Sequence, residues 1–183
     1  DILSDGTRAR RIDGEIIQSF AKGRMAALKK RFCYDSIVDY AIRTGIEFVY
    51  ARSFHNANPY TIKMFRAFRK AGIRSVIEIP TYPYDQEYKG FPLHERIQLH
   101  VDQIFRHRLA KETDYIVTFT DDKQIFGQRT LCISNGIELE SIPLKKNNHT
   151  LSEKRIIHFL GVAEVHPWHG FDRFIAGMGE YYQ

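Results

Sequence analysis

The residues of this 183-residue chain that could do chemistry gather in a few short segments. The most distinctive is Glu78–Glu87, EIPTYPYDQE, in which carboxylates, prolines and tyrosines follow an apolar run. Proline fixes φ and stiffens such a loop. Tyr82 and Tyr84 would then be held as rigid rings, a common platform for the C–H face of a sugar. Glu78 or Asp85, partly desolvated, has the chemistry of a general base. The competing reading is an aromatic-lined hinge between domains.

Ala51–Tyr60, ARSFHNANPY, concentrates Arg52, His55 and Asn56. Arg52 suits an anionic or hydroxylated ligand, and His55 can carry a proton near neutral pH. Asn58-Pro59 by itself also explains the segment as a helix start. In Gly161–Gly170, GVAEVHPWHG, His169 and Gly170 fall at the start of a helix. Free backbone N–H groups and the helix dipole favour a phosphate there. His166 and His169 lack a third ligand, so no metal site is expected.

Net charge adds a further candidate. The chain carries 27 Lys+Arg against 22 Asp+Glu, and residues 58–74 hold Lys63, Arg66, Arg69, Lys70 and Arg74 with no acid. That segment alone accounts for the excess. Lys63, Arg66 and Lys70 share one helical face, which fits docking to an anionic membrane surface at on the order of 1 kcal/mol per base. A solvated outer face explains the same pattern. Nucleic acid is not expected as a partner, because no aromatic platform or recognition helix accompanies the charge.

Other function classes lose support. There is no G-x-G-x-x-G or Walker loop, no H-E-x-x-H, no C-x-x-C and no G-x-S-x-G. Cys33 and Cys132 lie far apart without metal spacing, which fits a reducing compartment. No apolar run approaches the roughly 20 residues that span a bilayer. The start at Asp1 has no leader pattern. The expected location is cytoplasmic, peripheral on the inner face of the cell membrane.

The elements that must position these residues read as alternating helices and short strands. Helices are expected over Arg24–Phe32, from an Asp35 N-cap to Gly45, over Asn58–Ala71, over His94–Lys111 and from about Phe171. The helix at Arg24–Phe32 should bury Met25, Leu28 and Phe32, and that at His94–Lys111 should bury Ile97, Val101, Ile104 and Phe105. Strands are expected at Ile46–Tyr50, Ser75–Ile79, Asp114–Phe119, Leu131–Ser134 and Arg155–Val162, with a short helix near Asp121–Phe126. This alternation argues for α/β class with a Rossmann-like parallel sheet and flanking helices, whose ligands bind beyond the carboxyl ends of the strands. Residues 1–144 read as one domain, 145–153 as a linker and 154–183 as the start of a second. One strand and one helix cannot bury a core of their own, so the chain is expected to be truncated.

In order, the strand–loop EIPTYPYD, the turn SNGIE and the closing WHGFDRFI resemble family 4 glycosyltransferases of the GT-B type. The resemblance runs from about Ile46 to Gln183, and is greatest to the bacterial branch that builds cell-surface polysaccharides. It implies two Rossmann-like domains facing across a cleft, the first binding a glycan or lipid-linked acceptor and the second a nucleotide-sugar donor. Transfer would retain anomeric configuration, with no metal or other cofactor. The family's first strand would precede Asp1 and its E-x7-E carboxylates would follow Gln183, so this chain alone would be inactive. The family's diphosphate-binding Lys position matches His169 here and its Arg position falls near Ala163. That leaves His169, Gly170 and Arg173 as the implied donor-phosphate contacts. The family's acceptor-side His falls near Thr81, with Glu78, Tyr82 and Asp85 as substitutes. Arg52, His55, Thr81, Tyr82 and Tyr84 are thus the expected acceptor-binding set. A non-catalytic sugar- or nucleotide-binding module of the same fold is the alternative.

Overall fold

The computed structural model describes residues 1–52, 56–86, 88, 90–136, 140, 159–161 and 170–181. The chain divides into two compact units, Asp1–Ile137 and Glu138–Gln183. The expected boundary at 144 and the linker 145–153 lie outside the described residues.

A hairpin that no apolar period announces opens the first unit. β1 (Arg8–Ile12) and β2 (Glu15–Phe20) pair antiparallel around Asp13-Gly14, with φ of 49° and 81°. A two-residue loop with both φ positive matches the twist of the flanking strands. α1 (Gly23–Phe32) packs on this hairpin. Its buried residue is Ala26, whereas Met25 and Leu28, expected to face inward, are 69% and 49% exposed. Arg10 of β1 reaches the last turn of α1, donating to the carbonyls of Cys33 and of Lys30, the latter at 2.5 Å. A cation there satisfies orphan carbonyls and complements the dipole. α2 (Asp35–Arg43) starts one residue earlier than expected, with Tyr34 at the N-cap. Asp35 lies in the first turn and its carboxylate accepts from Lys63 at 2.8 Å.

The central sheet has five strands in the order β3-β4-β5-β7-β6. They are β3 (Phe48–Arg52), β4 (Arg74–Ile79), β5 (Tyr115–Thr118), β6 (Gln124–Ile125) and β7 (Gln128–Cys132). β3, β4, β5 and β7 run parallel, and β6 is antiparallel to β7. α3 (Pro59–Lys70) and α4 (Leu93–Ala110) are the crossovers. This is an α/β, Rossmann-like, mostly parallel sheet with flanking helices. The helix expected near Asp121–Phe126 is instead the β6–β7 hairpin, turning on Phe126 and Gly127 at φ of 51° and 78°. A non-glycine residue in the left-handed region costs about 1–2 kcal/mol. Burying the Phe126 ring, 8% exposed against Tyr82 and Tyr84, offsets that by roughly 1.5–3 kcal/mol.

α3 forms where Asn58 builds a capping box: its side chain accepts from Tyr60 and Thr61 N–H, and Thr61 Oγ1 accepts from Asn58 N–H. Ile62, Phe65 and Phe68 of α3 join Ile77, Ile79 and Ile116 of the sheet in one core. α4 departs from its expected face. Ile97 and Ile104 are each 56% exposed, Val101 and Phe105 are half-buried, and the buried residues are Leu99, Asp102, Leu109 and Ala110. The period is helical, but a buried carboxylate occupies it, which an apolar pattern does not register.

In the second unit, α5 (Phe171–Tyr181) forms as expected. Phe159 and Phe174 meet edge-on at 5.1 Å, and a Cβ on Gly161 would lie 2.4 Å from the Phe171 ring. The strand expected at Arg155–Val162 lies mostly outside the described residues. Phe159–Gly161, its described part, belong to no strand.

Candidate ligand pocket beside the buried Glu78

The EIPTYPYD loop is packed into the fold rather than open to a ligand. Tyr84 is 8% exposed, and its hydroxyl donates to Asp102 Oδ2 at 2.7 Å. Burial, helped by Asp102, pushes the phenol pKa up. Asp102 Oδ1 accepts from the Ala57 N–H at 2.8 Å, which fixes the chain entering α3. Asp85 accepts both arms of the Arg106 guanidinium, at 2.7 and 3.2 Å, and that guanidinium lies 4.5 Å from the Phe126 ring centre. Between Tyr84, Asp102, Arg106 and Phe126 remains a cavity of about 20 Å³. That is room for about one water molecule. Tyr84 is therefore a core residue and not a stacking platform, and Asp85 is held by both arms of Arg106, away from the pocket described below. Tyr82 is half-buried against Phe126, and Thr81 is exposed.

Glu78 is placed differently. It is the register partner of Arg52 across β3–β4, so both side chains leave the same face of the sheet. Its side chain is 11% exposed. It accepts from the Tyr50 hydroxyl at 2.5 Å and pairs with Arg52 Nε at 3.3 Å. The hydrogen bond to Glu78 pushes the Tyr50 phenol up to about 12. A buried carboxylate held by a phenol and a guanidinium stays oriented, and it retains capacity to accept a further hydroxyl.

Arg52 also lines an open pocket of about 580 Å³ formed with Arg10, Ala27, Lys30, Arg31, Tyr34, Asn56 and Gln98. The size lies within the roughly 300–1,000 Å³ usual for small-molecule sites. Four elements contribute: Arg10 from β1, Lys30 and Arg31 from α1, Arg52 from the carboxyl end of β3, and Gln98 from α4. Among the described residues its lining holds four cations and no acid. Such cations repel one another, by about 4 kcal/mol at about 4 Å near a protein surface. Arg52 is offset by Glu78, and the other three are held by neutral partners. Arg10 donates to backbone carbonyls, Ser36 and Gln18, with its pKa lowered by burial. Arg31 donates to Gln98 Oε1 at 2.5 Å, and Lys30 to the Asp1 carbonyl at 3.4 Å.

Of the expected site residues, the structure brings together Arg52 and Glu78. His55 and His169 lie outside the described residues. Gly170 has a φ of 69°, and a Cβ there would sit 2.8 Å from the Arg173 guanidinium, so these two expected phosphate contacts are neighbours at the start of α5. The basic face of α3 is largely paired within the fold. Lys63 bonds Asp35, and Arg66 and Arg69 each contact Glu112 at 2.7 Å. Arg74 bonds Asp114, while Lys70 is exposed. Arg10, Lys30, Arg31, Tyr50 and Gln98 were missed by sequence reasoning. A signal existed for part of them: between Glu15 and Asp35 the chain has Lys22, Arg24, Lys29, Lys30 and Arg31 and no acid. Among the described residues no group of His, Cys, Asp and Glu could hold a metal ion, and no helix is long and apolar enough to cross a membrane. No protein-family model, no curated protein and no solved structure matches the chain.

Proposed function

We propose that this chain is the acceptor-binding part of a retaining glycosyltransferase of GT-B type, which moves a sugar from a nucleotide-sugar onto a glycan or lipid-linked acceptor for cell-surface polysaccharide. The observation that carries the reading is the oriented, buried Glu78 beside a cation-lined pocket at the carboxyl end of β3. Ligands of parallel sheets bind beyond the carboxyl ends of the strands. A transferase must hold an acceptor hydroxyl in line with the donor's anomeric carbon. Glu78 is suited to accept that hydroxyl, with Tyr50 and Arg52 as its positioning residues. Gly170 and Arg173 at the start of α5 are the described residues suited to the donor diphosphate, whose developing negative charge needs such partners. The reaction as proposed needs no metal and no cofactor beyond the nucleotide-sugar, which is a substrate.

The acceptor's lipid would lie in the inner face of the membrane, and α1 is better suited than α3 to meet it. Lys22, Arg24, Lys29, Lys30 and Arg31 accompany the exposed Met25 and Leu28 on or beside α1, a composition typical of interfacial helices.

The test is a transfer assay on the full-length gene product with uridine, guanosine and adenosine diphosphate sugars and a bacterial lipid extract as acceptor. Release of one nucleoside diphosphate, dependent on the extract and reduced about 100-fold in Glu78→Gln, is the expected result. Asp85→Asn should leave the rate of the folded protein within a few fold. If no donor is consumed while a nucleotide or sugar still binds, the protein is a non-catalytic binding module instead.

A further inference from the structure

We infer that the pocket lined by Arg10, Lys30, Arg31 and Arg52 is a binding site for a phosphate-bearing ligand, a diphosphate by preference. The inference rests on the transferase reading only for the ligand's role, as the anionic head of the acceptor. The chemistry of the site stands on the lining itself. Four cations from three separate parts of the chain converge on one depression, and among the described residues no acid lines it. Glu78 offsets only one of them, through Arg52 at 3.3 Å. The remaining positive charge is matched by an anion of two or more charges, not by a single carboxylate.

The hydrogen-bonding inventory sharpens this. Arg10 spends its guanidinium on the Lys30 and Cys33 carbonyls, Ser36 and Gln18, so it contributes field rather than contacts. Arg31 is exposed and oriented by a hydrogen bond to Gln98, and guanidinium forks match phosphate oxygens in pairs. Lys30 supplies a compact charge from the same helix. Asn56, Gln98 and Tyr34 complete the lining with neutral donors and acceptors, suited to sugar hydroxyls next to the phosphate. At about 580 Å³ the pocket exceeds one phosphate and accommodates a diphosphate with part of a sugar.

Such a group could come from a lipid carrier, from a nucleotide or from free solution. The test titrates the full chain by calorimetry with inorganic pyrophosphate, geranyl diphosphate and uridine diphosphate, with sodium sulfate at matched ionic strength as control. Saturable pyrophosphate binding at least tenfold tighter than sulfate is expected, weakened at least tenfold by Arg31→Ala and by Lys30→Ala but unchanged by Lys70→Ala. Circular dichroism melting checks that the variants fold, and Arg31→Gln, at an exposed position, provides a second variant. Tighter binding of geranyl diphosphate supports a lipid source, tighter binding of uridine diphosphate a nucleotide source, and equal binding a free diphosphate. Pyrophosphate binding no tighter than sulfate, or unaltered in the Arg31 and Lys30 variants, overturns the inference. Binding without sugar transfer to the lipid extract would sink the transferase reading and leave the pocket. Transfer without pyrophosphate binding would do the reverse.

Discussion

Glu78 owes its orientation to two donors of different kinds, the neutral phenol of Tyr50 and the cation of Arg52. The phenol must stay protonated to donate, so the folded state holds its proton more tightly than the unfolded chain does. Its pKa is raised from the ordinary 10.0 to about 12. The stability from this bond is therefore fully present below pH about 10 and is lost as pH rises towards about 12. Tyr50 is itself 47% exposed, so screening keeps the effect on stability small. Ultraviolet difference titration of the wild type against Tyr50→Phe should show one phenol with a midpoint near 12. In Glu78→Gln that midpoint should fall back towards the ordinary tyrosine value. A midpoint unmoved by Glu78→Gln would show that the hydrogen bond does not set it.

At the scale of elements, α1 and α3 exchange the roles that their composition suggests. Both are rich in bases, and α3 has no acid of its own. Its cations meet acids on other elements: Asp35 on α2 and Glu112 just past α4. α1 has no acid either, and its apolar Met25 and Leu28 stay exposed. If α1 is the face that meets anionic lipid, R24A/K29A should weaken binding to phosphatidylglycerol vesicles roughly 30-fold, at about 1 kcal/mol per base. K63A/R66A should change it little. Sedimentation with vesicles separates the two, and equal losses would return the membrane face to α3.

Over the whole molecule, Asp102 ties parts of the first unit that are distant in sequence. It is 2% exposed and joins α4 to Tyr84 in the EIPTYPYD loop and to the Ala57 N–H before α3. Glu112 and Asp114 make similar long ties at the other end of the sheet, the latter accepting from the Ser75 N–H at 2.7 Å. Replacing Asp102 with leucine leaves a buried hydroxyl and a buried N–H without this partner. Global stability should fall by about 3 kcal/mol, read as a lower urea midpoint with an unchanged slope. A loss under about 0.5 kcal/mol would place Asp102 among ordinary surface positions.

Features carried by short-range rules are legible in the order of the amino acids. Asn58-Pro59 and Gly72 bound α3, SVIEI becomes β4, and the alternation of helices with apolar runs announces an α/β sheet. Asp13-Gly14 belongs to the same class, since an Asp-Gly turn carries a local signal even though apolar periodicity passes over it, whereas Phe126-Gly127 turns only because distant tyrosines bury the Phe126 ring. Tertiary structure alone decided which cations meet acids elsewhere in the fold and which carboxylate lies beside the pocket. Lys63 finds Asp35 across 28 positions and Arg66 finds Glu112 across 46. Asp85 is taken by Arg106, while Glu78 remains beside the pocket. Helix caps and periods depend on neighbours a few residues away, and so they are written along the chain. Pairing, burial and convergence on a pocket depend on which distant segments the fold brings together, and no local pattern encodes that.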